Sequence, residues 1–205
     1  MIRSYKGITP LIAHTAFIEA SAQVIGDVHV GEHSSVWFNC VLRGDVHYIR
    51  VGNYTNIQDG TIIHVTNGKF ATLLGDRVTV GHAAVLHGCT VRRGALIGIG
   101  ATVMDEALVE EEAFVGAASL VPAGFVVPRR TLVTGVPARV VRTLTSEELA
   151  WKVTGTREYQ ELAARCLASL RQCQPLAAAE AGRPSPGGSS AVPLHSIGRP
   201  KDPRG

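Results

Sequence analysis

The chain has 205 residues, which allows one or two domains, and 45% of them are hydrophobic, enough for a sizeable core. Only 5% are aromatic whereas glycine occurs 22 times, which favours short β segments joined by tight turns over large helical packing. The formal net charge is +3, without a basic patch interleaved with aromatic residues, so we expect no nucleic-acid partner.

The N-terminal and cysteine patterns indicate a soluble protein of the cytoplasm. The opening residues, MIRSYKGITP, include no apolar signal segment, and no uncharged apolar run reaches the roughly 18 residues that a membrane span requires. None of the four cysteines forms a CxxC pair, and reduced thiols are the usual state in the cytosol. We therefore expect cytoplasmic localisation and no membrane partner.

An aliphatic residue recurs every six positions along the middle of the chain. A period of six is even, so it fits the alternation of a strand and does not fit the 3.6-residue spacing of a helix. Shorter runs with the same spacing occur earlier, for example Val30, Val36 and Leu42. The longest run consists of Val91, Ile97, Val103, Val109, Val115, Val121, Val127 and Val133.

This hexapeptide repeat predicts an all-β fold, a left-handed parallel β-helix. Each six-residue unit is interpreted as one short strand and a turn, and three units as one triangular coil. Stacked coils would bury a continuous aliphatic column and would satisfy one another's backbone hydrogen bonds. The predicted β-helix covers residues 1–143.

Residues 144–173 predict a C-terminal helix that packs on the β-helix or on a neighbouring subunit. Thr145 and Glu148 have the spacing of a capping box. Gly155 is expected to break or kink the helix, and Cys173 is expected to lie within it. One apolar stripe at helical spacing consists of Tyr159, Leu162, Ala163, Cys166, Leu167 and Leu170.

Residues 174–205 predict a disordered tail. The segment from Pro175 onward contains six of the ten prolines, together with glycine and serine, in a composition that does not support a packed core.

Three of the eight histidines lie within the short segment 61–89. His64 and His87 occupy the same phase of the repeat, and the segment TNGKFATLL between them interrupts it. A loop at this interruption would let the two side chains stack on adjacent coils. His82 has a different phase and is expected on another face, so a threefold assembly would be needed to unite it with the other two. Three nitrogen ligands with an open fourth position are typical of a catalytic zinc site.

The remaining histidines have a simpler interpretation. A single histidine on a β-helix face is usually a solvated or interface residue, and His14, His29, His33 and His47 are assigned to that class. Cys89, although close to His87, has a different phase and is expected to be a small core residue.

Four segments of the chain resemble the γ-class carbonic anhydrases. They are LRGD (Leu42 to Asp45), NIQDG (Asn56 to Gly60), IHV around His64, and VGHAAVLHGC (Val80 to Cys89). The resemblance covers residues 1–143. The later segment ELAWKVTGTREYQ is similar to a subgroup that is attached to phenylacetate degradation, some of whose members are described as thioesterases.

The resemblance implies a homotrimer of left-handed β-helices with a metal ion at each subunit interface. Zinc is the expected metal, with iron (Fe2+) or cobalt (Co2+) as alternatives. The implied ligands are His64, His82 and His87. The other implied site residues are Arg43 and Asp59, which match a salt bridge across the interface, Gln58, which matches a residue contacting the metal-bound water, and Asp45, which matches a structural acid near the site.

Two features depart from the family pattern. Val46 occupies a position where the founding member carries a glutamate, and the segment VTNGKFATLL contains no acidic residue where that member has a proton-shuttle glutamate. Metal binding therefore transfers to this chain better than fast proton export does. His47 is the alternative shuttle that the sequence offers.

The expected function is a carbonic anhydrase-like reaction, the reversible hydration of CO2 to bicarbonate by a metal-activated hydroxide. A metal ion lowers the pKa of water from about 15.7 to about 7, which supplies hydroxide at neutral pH. Two alternatives stay open: an acyl-CoA thioesterase of the phenylacetate-degradation type, and a catalytically silent trimeric scaffold stabilised by metal. A hexapeptide acyltransferase with one catalytic histidine and no metal is disfavoured by the three clustered histidines.

Overall fold

The computed structural model describes residues 1–184, which form a left-handed parallel β-helix of about seven turns followed by one helix, as predicted. The strands up to the first site histidine are β1 (Ile2–Arg3), β2 (Leu11–Ile12), β3 (Phe17–Ile18), β4 (Gln23–Val30), β5 (Ser35–Val36), β6 (Val41–Val51), β7 (Asn56–Ile57) and β8 (Ile62–His64). The later strands are β9 (Thr72–Leu74), β10 (Thr79–Val80), β11 (Val85–His87), β12 (Thr90–Val91), β13 (Leu96–Ile97), β14 (Thr102–Val103), β15 (Leu108–Val109), β16 (Phe114–Val115), β17 (Leu120–Val121), β18 (Val126–Val127), β19 (Thr131–Gly135) and β20 (Ala138–Thr143).

These strands line the three faces of a triangular prism. A 12-stranded sheet supplies two faces, because the long strand β6 pairs with β8 at its start and with β9 at its end. The first face contains β8, β11, β14 and β17, and the second contains β9, β12, β15 and β18. The eight-stranded sheet, from β3 to β20, forms the third face. We name the corners the 1–2, 2–3 and 3–1 edges after the faces that meet there.

Coil length changes along the prism. In the C-terminal half Thr90 pairs with Leu108, 18 positions later, and the following coils keep this spacing. Nearer the N-terminus Val51 pairs with Leu74, 23 positions later. The extra residues of that coil form a loop at 65–71, which the antiparallel bridge between Thr66 and Phe70 closes.

The aliphatic repeat forms the core of the prism. All eight positions from Val91 to Val133 at six-residue spacing are at most 1% exposed. Burying one valine or isoleucine side chain contributes roughly 1.5–3 kcal/mol, so this column is the main source of stability. Cys89 is also buried, as predicted, and burial raises the pKa of its thiol to about 12.

The C-terminal helix α1 spans Ser146–Ser169 and begins with the predicted capping box. The Thr145 side chain accepts from the Glu148 backbone N–H, and the Glu148 carboxylate accepts from the Thr145 backbone N–H. The helix continues through Gly155, so the predicted break there is wrong; a glycine costs only about 1 kcal/mol relative to alanine, which capping and packing offset. Cys173 lies beyond the end of the helix, so its predicted helical position is wrong as well.

The apolar stripe of α1 packs on the β-helix of the same chain along part of its length. Tyr159, Leu162, Ala163 and Cys166 cluster with an aromatic group on the third face that includes Phe17 and Trp37. The last two stripe residues, Leu167 and Leu170, remain exposed.

Beyond this helix, residues 174–184 contain no helix or strand, and the rest of the predicted tail, 185–205, lies outside the described residues. Within residues 1–184 no helix is long and apolar enough to cross a membrane.

Candidate metal centre

His64 and His87 form a pair at the 1–2 edge. They end the neighbouring parallel strands β8 and β11, which pair in a register that sets His64 directly opposite His87. Nδ1 of His64 lies 3.1 Å from Nε2 of His87. The stacking predicted from the repeat is confirmed, because the loop at 65–71 absorbs the five extra residues of this coil.

Each ring of the pair is held from behind by a carboxylate. Nε2 of His64 lies 2.9 Å from Asp45 Oδ1, and Nδ1 of His87 lies 2.7 Å from Asp105 Oδ1. Asp105 also accepts from the Thr66 hydroxyl, at 3.0 Å. A carboxylate that contacts one ring nitrogen of an imidazole keeps the N–H on that nitrogen and raises the basicity of the other ring nitrogen.

The donor set of this pair fits a divalent metal. When the ring nitrogens that face Asp45 and Asp105 carry the protons, the two facing nitrogens of His64 and His87 are free to accept, and a divalent cation between them would bind both. Two imidazole nitrogens bound to one tetrahedral zinc at about 2.05 Å lie roughly 3.3 Å apart. The observed separation of 3.1 Å is close to that value.

Arg43 and Asp45 are two positions apart on strand β6, and the Arg43 guanidinium donates to Asp45 Oδ2. Burial acts to raise the pKa of Asp45, but the hydrogen bonds from His64 and Arg43 outweigh it and hold that pKa below its ordinary value. Asp45 is therefore an ionised acceptor for His64 at neutral pH. Its expected role as a structural acid near the site stays a prediction.

His82 lies at a different corner, the 3–1 edge, directly after strand β10. Its Nδ1 is 2.8 Å from Asp59 Oδ2, and about two fifths of each side chain is exposed (42% and 41%). His82 is thus separated from the other two histidines within one chain, as the repeat phase predicts. The described part of the chain contains no single-chain group of three or more His, Cys, Asp or Glu residues placed to hold a metal ion.

Arg43 and Asp59, expected as a pair across a subunit interface, take different partners within one chain. Arg43 contacts Asp45 at the 1–2 edge, and Asp59 contacts His82 at the 3–1 edge. Each of them is therefore located beside one of the predicted ligands.

Gln58 is buried at the 3–1 edge and belongs to a chain of polar side chains. Its Nε2 donates to Asn56 Oδ1 at 3.0 Å, and Asn56 Nδ2 donates to the Thr79 hydroxyl at 2.9 Å. The Thr79 hydroxyl in turn lies 2.9 Å from that of Thr156 on helix α1. This chain fixes the orientation of the Gln58 amide and couples it to the helix.

Tyr159 is a site neighbour that the sequence analysis assigned only to the apolar stripe. Its hydroxyl lies 3.3 Å from Nε2 of His82. Burial, with a smaller contribution from the charge of Asp59, raises the pKa of Tyr159 to about 12, so the hydroxyl stays protonated at neutral pH. No sequence pattern identifies this contact, because the helix position on the third face depends on tertiary packing.

Asp105 is the second residue missed from the sequence, and here a signal existed. It lies 18 positions after His87, one regular coil further along in the same phase of the repeat. The repeat phase that places His64 and His87 on adjacent coils therefore also predicts a carboxylate next to His87 on the following coil.

The comparison with known proteins agrees with this architecture. The chain is 42% identical over 189 residues to the carnitine operon protein CaiE of Escherichia coli O157:H7, covering 92% of this chain and 96% of that protein. It is 45% identical over 159 residues to gamma carbonic anhydrase 1, mitochondrial, of Arabidopsis thaliana, covering 75% of this chain and 58% of that protein. The chain belongs to the γ-class carbonic anhydrase family of hexapeptide-repeat proteins.

Solved structures with about 40% identity share the fold of the chain. A hexapeptide transferase family protein from Anaplasma phagocytophilum has a TM-score of 0.77 at 40% identity, covering 80% of this chain and 96% of that one. The product of the BC4754 gene of Bacillus cereus has a TM-score of 0.80 at 41% identity, covering 82% and 96%. No protein-family model matches the chain.

Proposed function

We propose that this chain is a metal-dependent, carbonic anhydrase-like enzyme that hydrates CO2 reversibly to bicarbonate in the cytoplasm. The observation that carries the proposal is the histidine pair: two ring nitrogens 3.1 Å apart, each backed by a carboxylate. Two imidazole nitrogens at this separation, each ring fixed by a carboxylate, suit two ligands of one metal ion. The 45% identity to a γ-class carbonic anhydrase supports the same reaction class.

We propose a homotrimer as the active assembly because the third ligand lies at the other edge of the first face. His82 occupies the 3–1 edge, whereas His64 and His87 occupy the 1–2 edge. Packing the 3–1 edge of one subunit against the 1–2 edge of the next brings the three imidazoles to one point. Three such contacts close a ring in which the 3–1 edge of each subunit meets the 1–2 edge of the next, a head-to-tail arrangement.

His64, His82 and His87 would hold the metal, with zinc favoured by three imidazole ligands and iron or cobalt as alternatives. A bound divalent ion supplies Lewis-acid activation of water for attack on CO2. In this proposal the carboxylates of Asp45, Asp59 and Asp105 hold the three rings in the ligating tautomer.

The remaining site residues act on substrate and water in the proposed reaction. Gln58 would orient the attacking water through its side-chain amide, whose position the Asn56 hydrogen bond fixes. Arg43 would keep Asp45 ionised and correctly oriented.

Proton export is the step for which the chain offers fewest groups. Val46, which is 38% exposed, occupies the place of an expected acid. The adjacent His47 accepts a hydrogen bond from the Tyr48 backbone N–H at Nδ1, at 2.9 Å. His47 lies two positions from Asp45 on this edge, and it is our candidate for a substitute shuttle. We accordingly expect slow turnover.

A second candidate function, hydrolysis of an acyl-CoA thioester by the same site, is favoured by an apolar cleft. The cleft has a volume of about 340 Å³ and lies between helix α1 and the third face. Leu96, Ile99, Phe114 and Trp151 line it, and it reaches Gln58 at the 3–1 edge. An acyl chain in this cleft would bring its thioester carbonyl to the proposed centre. The third alternative, a silent metal-stabilised scaffold, predicts metal without either activity.

The proposal is tested by metal content and two activity assays on one sample. We expect about one metal ion per subunit, since each interface of a closed trimer forms one site. CO2 hydration by stopped flow and hydrolysis of a small panel of acyl-CoA esters then separate the two reactions. Bound metal without either activity would support the silent scaffold. A preparation without bound metal after growth with zinc would contradict the carbonic anhydrase, thioesterase and scaffold functions alike.

A matched pair of variants tests the ligand set. His82→Ala should lose the metal, whereas His33→Ala should keep it. His33 stacks on Tyr54, with ring centroids 5.0 Å apart, at the 2–3 edge away from the proposed centre. Full metal occupancy in both variants would show that the ligands are assigned wrongly.

A further inference from the structure

The 2–3 edge carries none of the predicted metal ligands but borders a cleft rich in arginine. The cleft lies between this edge and helix α1 and has a volume of about 480 Å³. We call it the arginine cleft; its charged lining consists of Arg77, Arg93, Arg129, Lys152, Arg157 and the glutamate pair 111–112. Five cationic side chains therefore surround one cavity that only two carboxylates share.

The repeat stacks the turns that form the edge wall. Residues Leu74, Val91, Val109 and Val127 pair in succession across four coils of the second face. The turns that follow these strands therefore lie one above another, and they carry Arg77, Arg93, the glutamate pair and Arg129. Adjacent coils are about 4.8 Å apart, so Arg77 and Arg93 lie on neighbouring coils, one position out of register, and the glutamate pair separates them from Arg129.

The two glutamates already have partners at the far end of the wall. Glu112 binds Arg130 at 2.6 Å and lies 3.7 Å from Arg129, which is also 3.7 Å from Glu111. The ion pairs found within residues 1–184 include neither Arg77 nor Arg93. Arg77 instead lies over the ring of Tyr54, 5.6 Å from its centroid. The wall thus keeps two guanidinium groups for an external anion.

Helix α1 supplies the opposite wall and the floor of the cleft. Arg157 has only a long contact of 3.9 Å with Glu161, and both side chains are more than half exposed, so this pair contributes little. Lys152 is 5% exposed, and its ammonium donates to the backbone carbonyls of Glu112 and Ala113. Burial lowers the pKa of Lys152 to about 8, which leaves the floor cationic at neutral pH.

We propose that the arginine cleft binds an organic anion that carries a diphosphate or longer phosphate chain. A guanidinium group binds two phosphate oxygens through parallel N–H donors, and Arg77 and Arg93 on neighbouring coils of one cavity wall suit two adjacent phosphates. The cavity volume falls within the range of about 300–1,000 Å³ that is typical of sites for small organic ligands and exceeds the need of a single phosphate. This site is independent of the proposed metal centre, which lies at the other two edges.

The test is calorimetric titration of the full chain with pyrophosphate, ADP and inorganic phosphate at fixed ionic strength. We expect ADP and pyrophosphate to bind at least about tenfold more tightly than phosphate, since two phosphate groups engage more guanidiniums than one. ADP binding more tightly than pyrophosphate would identify an organic diphosphate as the better ligand. Phosphate binding as tightly as pyrophosphate, or no heat with any of the three at millimolar concentration, would overturn the proposal.

Matched variants separate a built site from general attraction by positive charge. The double variant Arg77→Gln, Arg93→Gln should weaken pyrophosphate binding by at least about tenfold, because it removes the two unpaired donors. Arg165→Gln removes one charge from an exposed position of the same helix outside the cleft and should change binding less than twofold. Equal weakening by Arg77→Gln alone and by Arg165→Gln would show that only net charge matters, and the site would be rejected. All these positions are exposed, so the variants should fold normally.

Discussion

Two halves of the same prism differ in the regularity of their coils. From β13 to β19 every coil has 18 residues, and each repeat position is a buried aliphatic side chain. From β6 to β11 the coils lengthen by up to five residues, and the edges carry histidines and carboxylates. Both halves direct polar groups outward at their turns, but the three predicted metal ligands all lie in the irregular half, which leaves the column inside undisturbed.

The difference shows how a repeat accommodates chemistry. The inward position is fixed by burial, so a coil can change only at its turns or by insertion between strands. The insertion at 65–71 displaces no core residue, since Ile63 and Leu86 still pair in register. Functional side chains in this fold are therefore expected at edges and next to insertions. The site follows that rule.

The largest effect should come from breaking the regular half. Ile97 is fully buried, so Ile97→Ala should lower the free energy of unfolding by about 2–5 kcal/mol through lost burial and a cavity. The metal content of the folded protein should stay unchanged. Urea denaturation at fixed protein concentration measures the first quantity. Val126→Ala, at a half-exposed position of the neighbouring face, is the control and should cost less than about 1 kcal/mol.

A substitution at the 1–2 edge should directly disturb the histidine pair. Gly88 has φ +57°, and a Cβ there would overlap Asp105 Oδ1, the carboxylate that holds His87. Gly88→Ala should cost about 2–3 kcal/mol, from backbone strain plus displacement of Asp105, and should weaken metal binding.

Gly94→Ala is the control that separates strain from overlap. Gly94 has φ +67° and lies at the 2–3 edge, away from the proposed centre, and a Cβ there would make only an ordinary contact of 3.5 Å with Glu112 Cγ. The control should cost only about 1 kcal/mol and should retain full metal affinity. Equal metal affinity in the two variants would show that Asp105 does not position His87.

A smaller effect on metal affinity is expected when the Asp105 side chain keeps its shape but loses its negative charge. Asp105→Asn should weaken metal affinity by about 10–100-fold, measured by competition with a chelator, because His87 loses its ionised partner. Asp76→Asn changes a comparable aspartate at the 2–3 edge, where Asp76 accepts from the Asn53 backbone N–H. That variant should bind metal like the wild type.

The smallest effect concerns the helix that covers the third face. Arg142 forms two hydrogen bonds with Glu148 and, with the Thr145 cap, lowers the pKa of Glu148 to about 2. A depressed carboxyl pKa stabilises the fold above the ordinary value of 4.5 and loses that contribution as the pH falls toward 2.

Glu148→Gln should therefore cost about 0.5–1 kcal/mol at pH 7, a modest value because Arg142 is solvent-exposed. The difference between variant and wild type should vanish between pH 4.5 and 2, as thermal unfolding across that range can measure. A constant difference down to pH 2 would contradict this assignment.

The fold was predictable from the sequence because burial enforces the repeat. All eight repeat positions from Val91 to Val133 could be named in advance as buried, and the phase of His64 and His87 predicted their stacking. The continuity of the helix through Gly155 was missed because the prediction gave more weight to the low helix propensity of glycine than to capping and packing. Tyr159 was missed because its contact with His82 joins residues 77 positions apart that no period relates.

The central claim is that each metal ion is shared between subunits, and subunit mixing tests it most directly. His82→Ala and His87→Ala should each bind no metal alone. Trimers co-assembled from both variants contain one interface that joins an intact His64–His87 pair to an intact His82. Random mixing in equal amounts should restore about one quarter of the wild-type metal content, given closed threefold rings. Mixed trimers that bind no more metal than the separate variants would contradict the shared site.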